Sequence, residues 1–154
     1  MIRPINAATL ALVKEFEGLQ VKAYKDEVGV WTIGWGHTGL THQDGTVHGG
    51  RVITAAEADQ LLAYDLGQFA AGVGKLLKPG LDLNDNMFGA LVSFAFNLGL
   101  GNFEQSTLRH RVNAGRHLEA ASEFGKWTRA GGRVLRGLVR RRQSEANLYC
   151  SFPA

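Results

Sequence analysis

The sequence predicts an α+β protein that is mainly helical, with a small β-hairpin lobe and a larger helical lobe joined by a long helix. Three observations carry that expectation. Between Gly18 and Ile53 the chain is rich in glycine and β-branched residues, as short strands and turns require. Thr54-Ala-Ala-Glu57 then forms a capping box, succeeded by apolar residues at three- and four-residue steps. Beyond Pro79-Gly80 the spacing is helical to the end of the chain.

Taken in order, Asn6 is an N-cap and Gly18 a C′ residue, enclosing a helix of about eleven residues. On a wheel at about 100° per residue, Leu12, Phe16, Val13 and Leu10 share one arc, and Glu17 falls between Val13 and Leu10. Glu15 points the other way. Val21–Lys25 and Val30–Trp35 read as two strands around a turn containing Gly29. His37 to Arg51, polar and rich in Gly and His, reads as loop or short irregular strand. Leu61, Leu62, Asp65, Leu66, Phe69 and Val73 mark a helix from Thr54 to about Leu77, roughly 35 Å long. Asn84 caps a buried helix over Asp85–Leu98, ended by Gly99 and Gly101. Short helices come next at Thr107–Asn113, His117–Thr128 and Leu138–Tyr149, broken by Gly115 and Gly131-Gly132. The expected division is a β-containing lobe at 18–53, a connecting helix at 54–77, and a helical lobe of 78–154 with the N-terminal helix 6–17.

A chain of 154 residues with 45% hydrophobic content can build one core without covalent staples. Its single cysteine, Cys150, excludes an intrachain disulfide. The longest mainly apolar run, Ala90–Phe96, is far short of the roughly 20 residues a membrane span needs. No signal peptide or anchor is legible at the amino terminus. Charge is uneven. Residues 1–108 hold 7 Lys/Arg against 11 Asp/Glu, whereas 109–154 hold 10 against 3. The basic part suggests an anionic partner.

The strongest chemical constellation is Glu17, Asp26 and Thr32. Burying a carboxyl group disfavours its charged form, which suits a general acid; a glutamate at a fraying helix end is the plainer alternative. If Glu27-Val28-Gly29 is a three-residue hairpin loop, Asp26 lies opposite Val30 and Thr32 is its diagonal neighbour, about 7–8 Å away between α-carbons. A carboxylate and a hydroxyl so placed can hold one water. An acid on one side and an activated water on the other is what an inverting glycosidase needs, with carboxyls roughly 6.5–9.5 Å apart. Singly, Asp26 is a common turn former and Thr32 a common strand former.

The run from Glu17 to His37 resembles the catalytic segment of the phage T4-type lysozymes: Glu17, eight residues, Asp26, five residues, Thr32, then Ile33-Gly34-Trp35-Gly36-His37. The likeness continues through Ser93-Phe94-Ala95-Phe96-Asn97-Leu98-Gly99 and Ser106-Thr107-Leu108. It resumes at Trp127, Gly131-Gly132 and Gly137-Leu138-Val139-Arg140-Arg141-Arg142. It implies a lysozyme-like fold with a cleft between the lobes, and a muramidase cleaving the β-1,4 bond between N-acetylmuramic acid and N-acetylglucosamine. Carried over by position, Glu17 is the general acid, Asp26 orients the water or stabilises charge on the sugar, and Thr32 holds the water. His37, Phe96, Asn97 and Thr107 are the implied substrate-binding residues. No cofactor or metal is implied. The expected partners are peptidoglycan strands and, through the basic C-terminal half, the anionic wall surface. A soluble monomer is expected, residing in the host cytoplasm until it is released to the wall.

Four other readings compete. Gly34-Trp35-Gly36-His37-Thr38-Gly39 is formally a dinucleotide-binding GxGxxG, with Asp59 twenty residues on, but no helical pattern begins at those glycines. His37, His42, His48 and Asp44 crowd one segment, without the spacing that zinc sites favour; polar surface histidines, with His37 buried and hydrogen-bonded, are the preferred reading. Arg136, Arg140 and Arg142 fall on one helical face that would suit nucleic acid, yet only Phe124 and Trp127 interleave the basic segment. An idle relative that only binds glycan would be expected to have lost its acid; Glu17 is present.

Overall fold

A computed structural model describes residues 3–38 and 47–154. Seven α-helices run in order with two small antiparallel sheets among the described residues. The chain divides into two compact units. One comprises Lys14–Gln68; the other comprises Met1–Val13 with Phe69–Ala154. The boundaries fall inside the first and second helices, so the connecting helix is shared between the units.

Helix α1 spans Ala7–Glu17. Asn6 caps it, its Oδ1 accepting from the Thr9 amide at 3.1 Å and the Thr9 hydroxyl at 2.7 Å. Thr9, Leu12 and Val13 are buried, Glu15 is exposed and Glu17 is half-buried, as the wheel predicts. Gly18 (φ 70°) ends the helix, its amide donating to the Lys14 carbonyl.

Strands β1 (Gln20–Lys25), β2 (Trp31–Gly34) and β3 (His37–Thr38) form one sheet in that order. The β1–β2 register pairs Tyr24 with Thr32 and Lys25 with Trp31, and an irregularity lies between Gln20 and Tyr24. The far edge of β1 is also occupied. Ala23 donates to the Arg51 carbonyl and Ile53 to that of Val21, with a bridge between Lys22 and Val52. That pairing is absent from the sequence reading, because the three residues Arg51-Val52-Ile53 are too few to show alternation and give no local sign of a strand partner thirty residues away. The core of this unit is Ala23, Ile33, Ile53 and Ala58, with Trp31, Trp35 and Leu61 packed against it.

Helix α2 is Ala55–Leu76. The capping box is formed: the Glu57 amide donates to Thr54 Oγ1 at 3.1 Å and the Thr54 amide to Glu57 Oε1 at 3.3 Å. At its far end the Leu76 carbonyl accepts from Arg109 Nε and Asn113 Nδ2, so an orphan acceptor of the last turn is satisfied by side chains.

Helix α3 (Asp85–Leu98) is buried along most of its length and capped by Asn84, whose side chain accepts from the Met87 amide. Helices α4 (Leu100–Gln105), α5 (Thr107–Asn113) and α6 (His117–Glu123) come next. Helix α4 departs from the sequence reading: Gly99 (φ 95°) turns the chain, and Gly101 is accommodated inside the next helix instead of ending the last. The helix expected to reach Thr128 stops at Glu123 and tightens into a 3-10 turn over Phe124–Lys126, where Gly125 weakens the α-helical alternative. Gly131 and Gly132, both at positive φ, then turn a hairpin between β4 (Arg129–Ala130) and β5 (Arg133–Val134). A Gly-Gly pair is a recognised signal for such a turn. Helix α7 covers Arg136–Tyr149. Phe94 is the aromatic hub of this unit, with Phe103, Phe124 and Trp127 set edge-on around it.

Candidate active site

Glu17, Asp26 and Thr32 all belong to the unit that contains the three-stranded sheet. The hairpin forms as its spacing demands. The Asp26 amide donates to the Val30 carbonyl at 2.9 Å, the Gly29 amide returns to the Asp26 carbonyl, and Gly29 takes φ 84°. Asp26 therefore opposes Val30, and Tyr24, Asp26 and Thr32 alternate onto one face of the sheet.

Asp26 divides its carboxylate. Oδ1 accepts from the amides of Val28 and Val30, both at 2.9 Å, which fixes the side chain over its own turn. Thr32 is buried, and its hydroxyl donates to the Val30 carbonyl at 3.0 Å. With that proton committed, the Thr32 oxygen faces other groups as an acceptor. A water between the two would donate one proton to Asp26 and one to Thr32, leaving a lone pair for attack.

Glu17 approaches from the end of α1. Its Oε2 lies where a Cβ at Gly36 would come within 3.0 Å, so the backbone of the β2–β3 turn packs directly against this carboxylate. Gly36 has φ 84°, a second reason for glycine there. Tyr24 reports both acids. Its phenol is pushed up by burial first, then by the charges of Glu17 and of Asp26. The two carboxylates thus bear on one side chain.

His37 is one of the implied substrate contacts. Its side chain is 1% exposed and its Nδ1 lies 2.8 Å from Asp65 Oδ2, so it ties β3 to α2 and presents almost no surface to a sugar. Phe96, Asn97 and Thr107 lie in the other unit. Phe96 sets its ring edge-on to Phe69 at 5.4 Å. Asn97 accepts from Arg142 Nη2 at 2.8 Å through its Oδ1. Thr107 is exposed at the start of α5 and lines a cavity of about 340 Å³ with Gln105, Glu123 and Trp127.

Among the competing motifs, the glycine pattern lacks its helix: Gly36 leads into strand β3, where a dinucleotide motif would begin one. His42 and Asp44 lie outside the described residues. Among the described residues no cluster of three metal-ligating side chains occurs. The arginine face that the nucleic-acid reading needs on α7 is broken: Arg142 is fully buried, with its Nε 2.6 Å from Glu145 Oε1, and Arg141 is buried beside it. Alternation of charge along the helix gave no hint of this, because the buried partners Ser93 and Asn97 come from α3.

A helical protein whose sheet-containing unit carries two carboxylates and a hydroxyl, one acid from a helix and the rest from a hairpin, has the build of a lysozyme-type fold. The family model described as phage lysozyme matches residues 14–145, and the chain belongs to that family. An endolysin of Bacillus phage B103 is 46% identical over 147 residues, covering 94% of this chain and 53% of its own length. This chain thus spans about half of that relative. An endolysin of Acyrthosiphon pisum secondary endosymbiont phage 1 is 38% identical and is matched over 97% of its length and 94% of this chain. Among solved structures, the muramidase domain of SpmX from Asticaccaulis excentricus superposes with TM-score 0.85 at 40% identity, covering 97% of this chain and 99% of that one. Among the described residues no helix is long and apolar enough to cross a membrane.

Proposed function

We propose that this chain is a muramidase that hydrolyses the β-1,4 bond between N-acetylmuramic acid and N-acetylglucosamine in peptidoglycan, with inversion. Glu17 protonates the departing glycosidic oxygen. A water donating to Asp26 and Thr32 attacks the anomeric carbon from the opposite face and passes its proton to Asp26. Positive charge developing on the sugar is stabilised by the Asp26 carboxylate. The single observation that carries this reading is that Asp26 and Thr32 share one face of the hairpin, with Asp26 Oδ1 held by the Val28 and Val30 amides and the Thr32 proton given to the Val30 carbonyl. Phe96, Asn97 and Thr107 are read as glycan contacts, and the wall polymer is the partner.

The reading is tested by turbidity loss of purified peptidoglycan. Glu17→Gln should lower turnover by about 10²–10⁴-fold, the usual worth of a general acid, while leaving the unfolding midpoint near that of the parent. Lysis at the parental rate would remove Glu17 from the mechanism.

A further inference from the structure

Three elements of the sheet-containing unit meet at one carboxylate outside the acid and water pair. Asp59, on α2, accepts from Trp35 Nε1 at 2.9 Å and pairs with Lys14 Nζ at 3.0 Å, both through Oδ1. The Lys14 ammonium also stands over the Trp35 ring, 5.2 Å from its centroid. Lys14 sits one helical turn before Glu17 on α1. Trp35 adjoins Gly36, whose backbone is packed against the Glu17 carboxylate. The same turn is seated on α2 at Gly34, where an added Cβ would meet Ala58 at 3.3 Å. The clamp thus closes a loop through α1, the β2–β3 turn and α2, and Glu17 and its backbone neighbour lie one step away on two of its three arms.

We infer that Lys14, Trp35 and Asp59 are positioning residues that set the spacing between the Glu17 carboxylate and the β2–β3 turn, and hence the aim of the acid. This rests on the role proposed for Glu17. Asp59 and Lys14 are partly exposed, with side-chain exposures of 52% and 33%, and such pairs contribute little to global stability. Their effect on rate can be large, since a misplacement of about 1 Å at a reacting group can cost about 10²-fold. Hydrogen bonds from Lys14 first and then Trp35 lower the Asp59 carboxyl from its ordinary value.

The test measures kcat and KM on soluble glycan strands, together with unfolding midpoints, for Asp59→Ala, Lys14→Met, Trp35→Phe, Lys14→Arg and Glu17→Gln. Asp59→Ala and Lys14→Met should lower kcat about three- to tenfold with KM within about twofold. Trp35→Phe, which removes the N–H donor and keeps an aromatic ring, should fall between these and the parent. Lys14→Arg, which keeps charge and reach, should restore most of kcat. A purely structural role would predict loss in step with the midpoint and no selective rescue by arginine. Parental kcat in both Asp59→Ala and Lys14→Met, or a tenfold rise in KM with kcat unchanged, overturns the inference. If those two are parental while Glu17→Gln is inert, only the clamp fails; if Glu17→Gln is active, the role of Glu17 fails and the clamp with it. Lys14→Met alters one half-exposed side chain, so it decides the matter even if Asp59→Ala unfolds.

Discussion

Asp26 commits one carboxylate oxygen to its own turn, and that commitment makes the other useful. Two amide donors at 2.9 Å remove the torsional freedom an exposed aspartate would have. Thr32 completes the arrangement from the neighbouring strand, its proton already given to Val30. Tyr24 offers a direct reading of this local field. Because burial, Glu17 and Asp26 all raise its phenol, removing either charge should lower it. Titrating phenolate absorbance, with Tyr24→Phe as the subtraction, should show a downward shift in Asp26→Asn and in Glu17→Gln. No shift in either would mean the two acids do not converge on that side chain. The placement of Asp26 and Thr32 on one face was legible in the sequence because hairpin registry is set by loop length and the position of Gly29, and that of Glu17 because the helix wheel sets it among apolar neighbours. The burial of His37 was legible too, but its partner was not, since Asp65 lies on a helix 28 residues away.

At the scale of elements, caps and turns decide where chain direction changes. Asn6, Thr54 and Asn84 each make the side-chain bonds their positions forecast. Short elements without periodicity of their own were less legible: β3 lay open between loop and short irregular strand, while the pairing of Arg51–Ile53 with β1, α4 and the Gly131-Gly132 hairpin escaped the sequence. A two-residue strand carries too few residues to show alternation, and glycine marks a bend without specifying the element beyond it. The junction of α1, the β2–β3 turn and α2 yields a pH prediction. Lys14 first, then Trp35, depress the Asp59 carboxyl by hydrogen bonding. Stability from a depressed carboxyl is present above its ordinary value and is lost as pH falls through the depressed one. The midpoint difference between the parent and Asp59→Asn should therefore be small, greatest near neutrality, and close below about pH 4. A difference that widens on acidification would contradict this assignment.

For the molecule as a whole, the distribution of charge differs from what counting residues suggests. Arg141 and Arg142 contribute to the basic C-terminal part of the sequence yet are buried against Glu145 and Ser93, between α7 and α3. They act in the core of the helical unit and leave the surface less cationic than its composition. Arg142→Met should cost about 3–5 kcal/mol in urea unfolding, because Glu145 would stay buried with a principal partner gone. A loss below about 1 kcal/mol would show that the remaining Arg141 and Ser93 contacts suffice. The central claim is that Asp26 and Thr32 hold an attacking water and that no sugar is bonded to the enzyme. Proton magnetic resonance of the first product formed from soluble glycan strands tests it most directly. The account predicts that the new reducing end appears first as the α anomer and then equilibrates; initial appearance of the β anomer would contradict it.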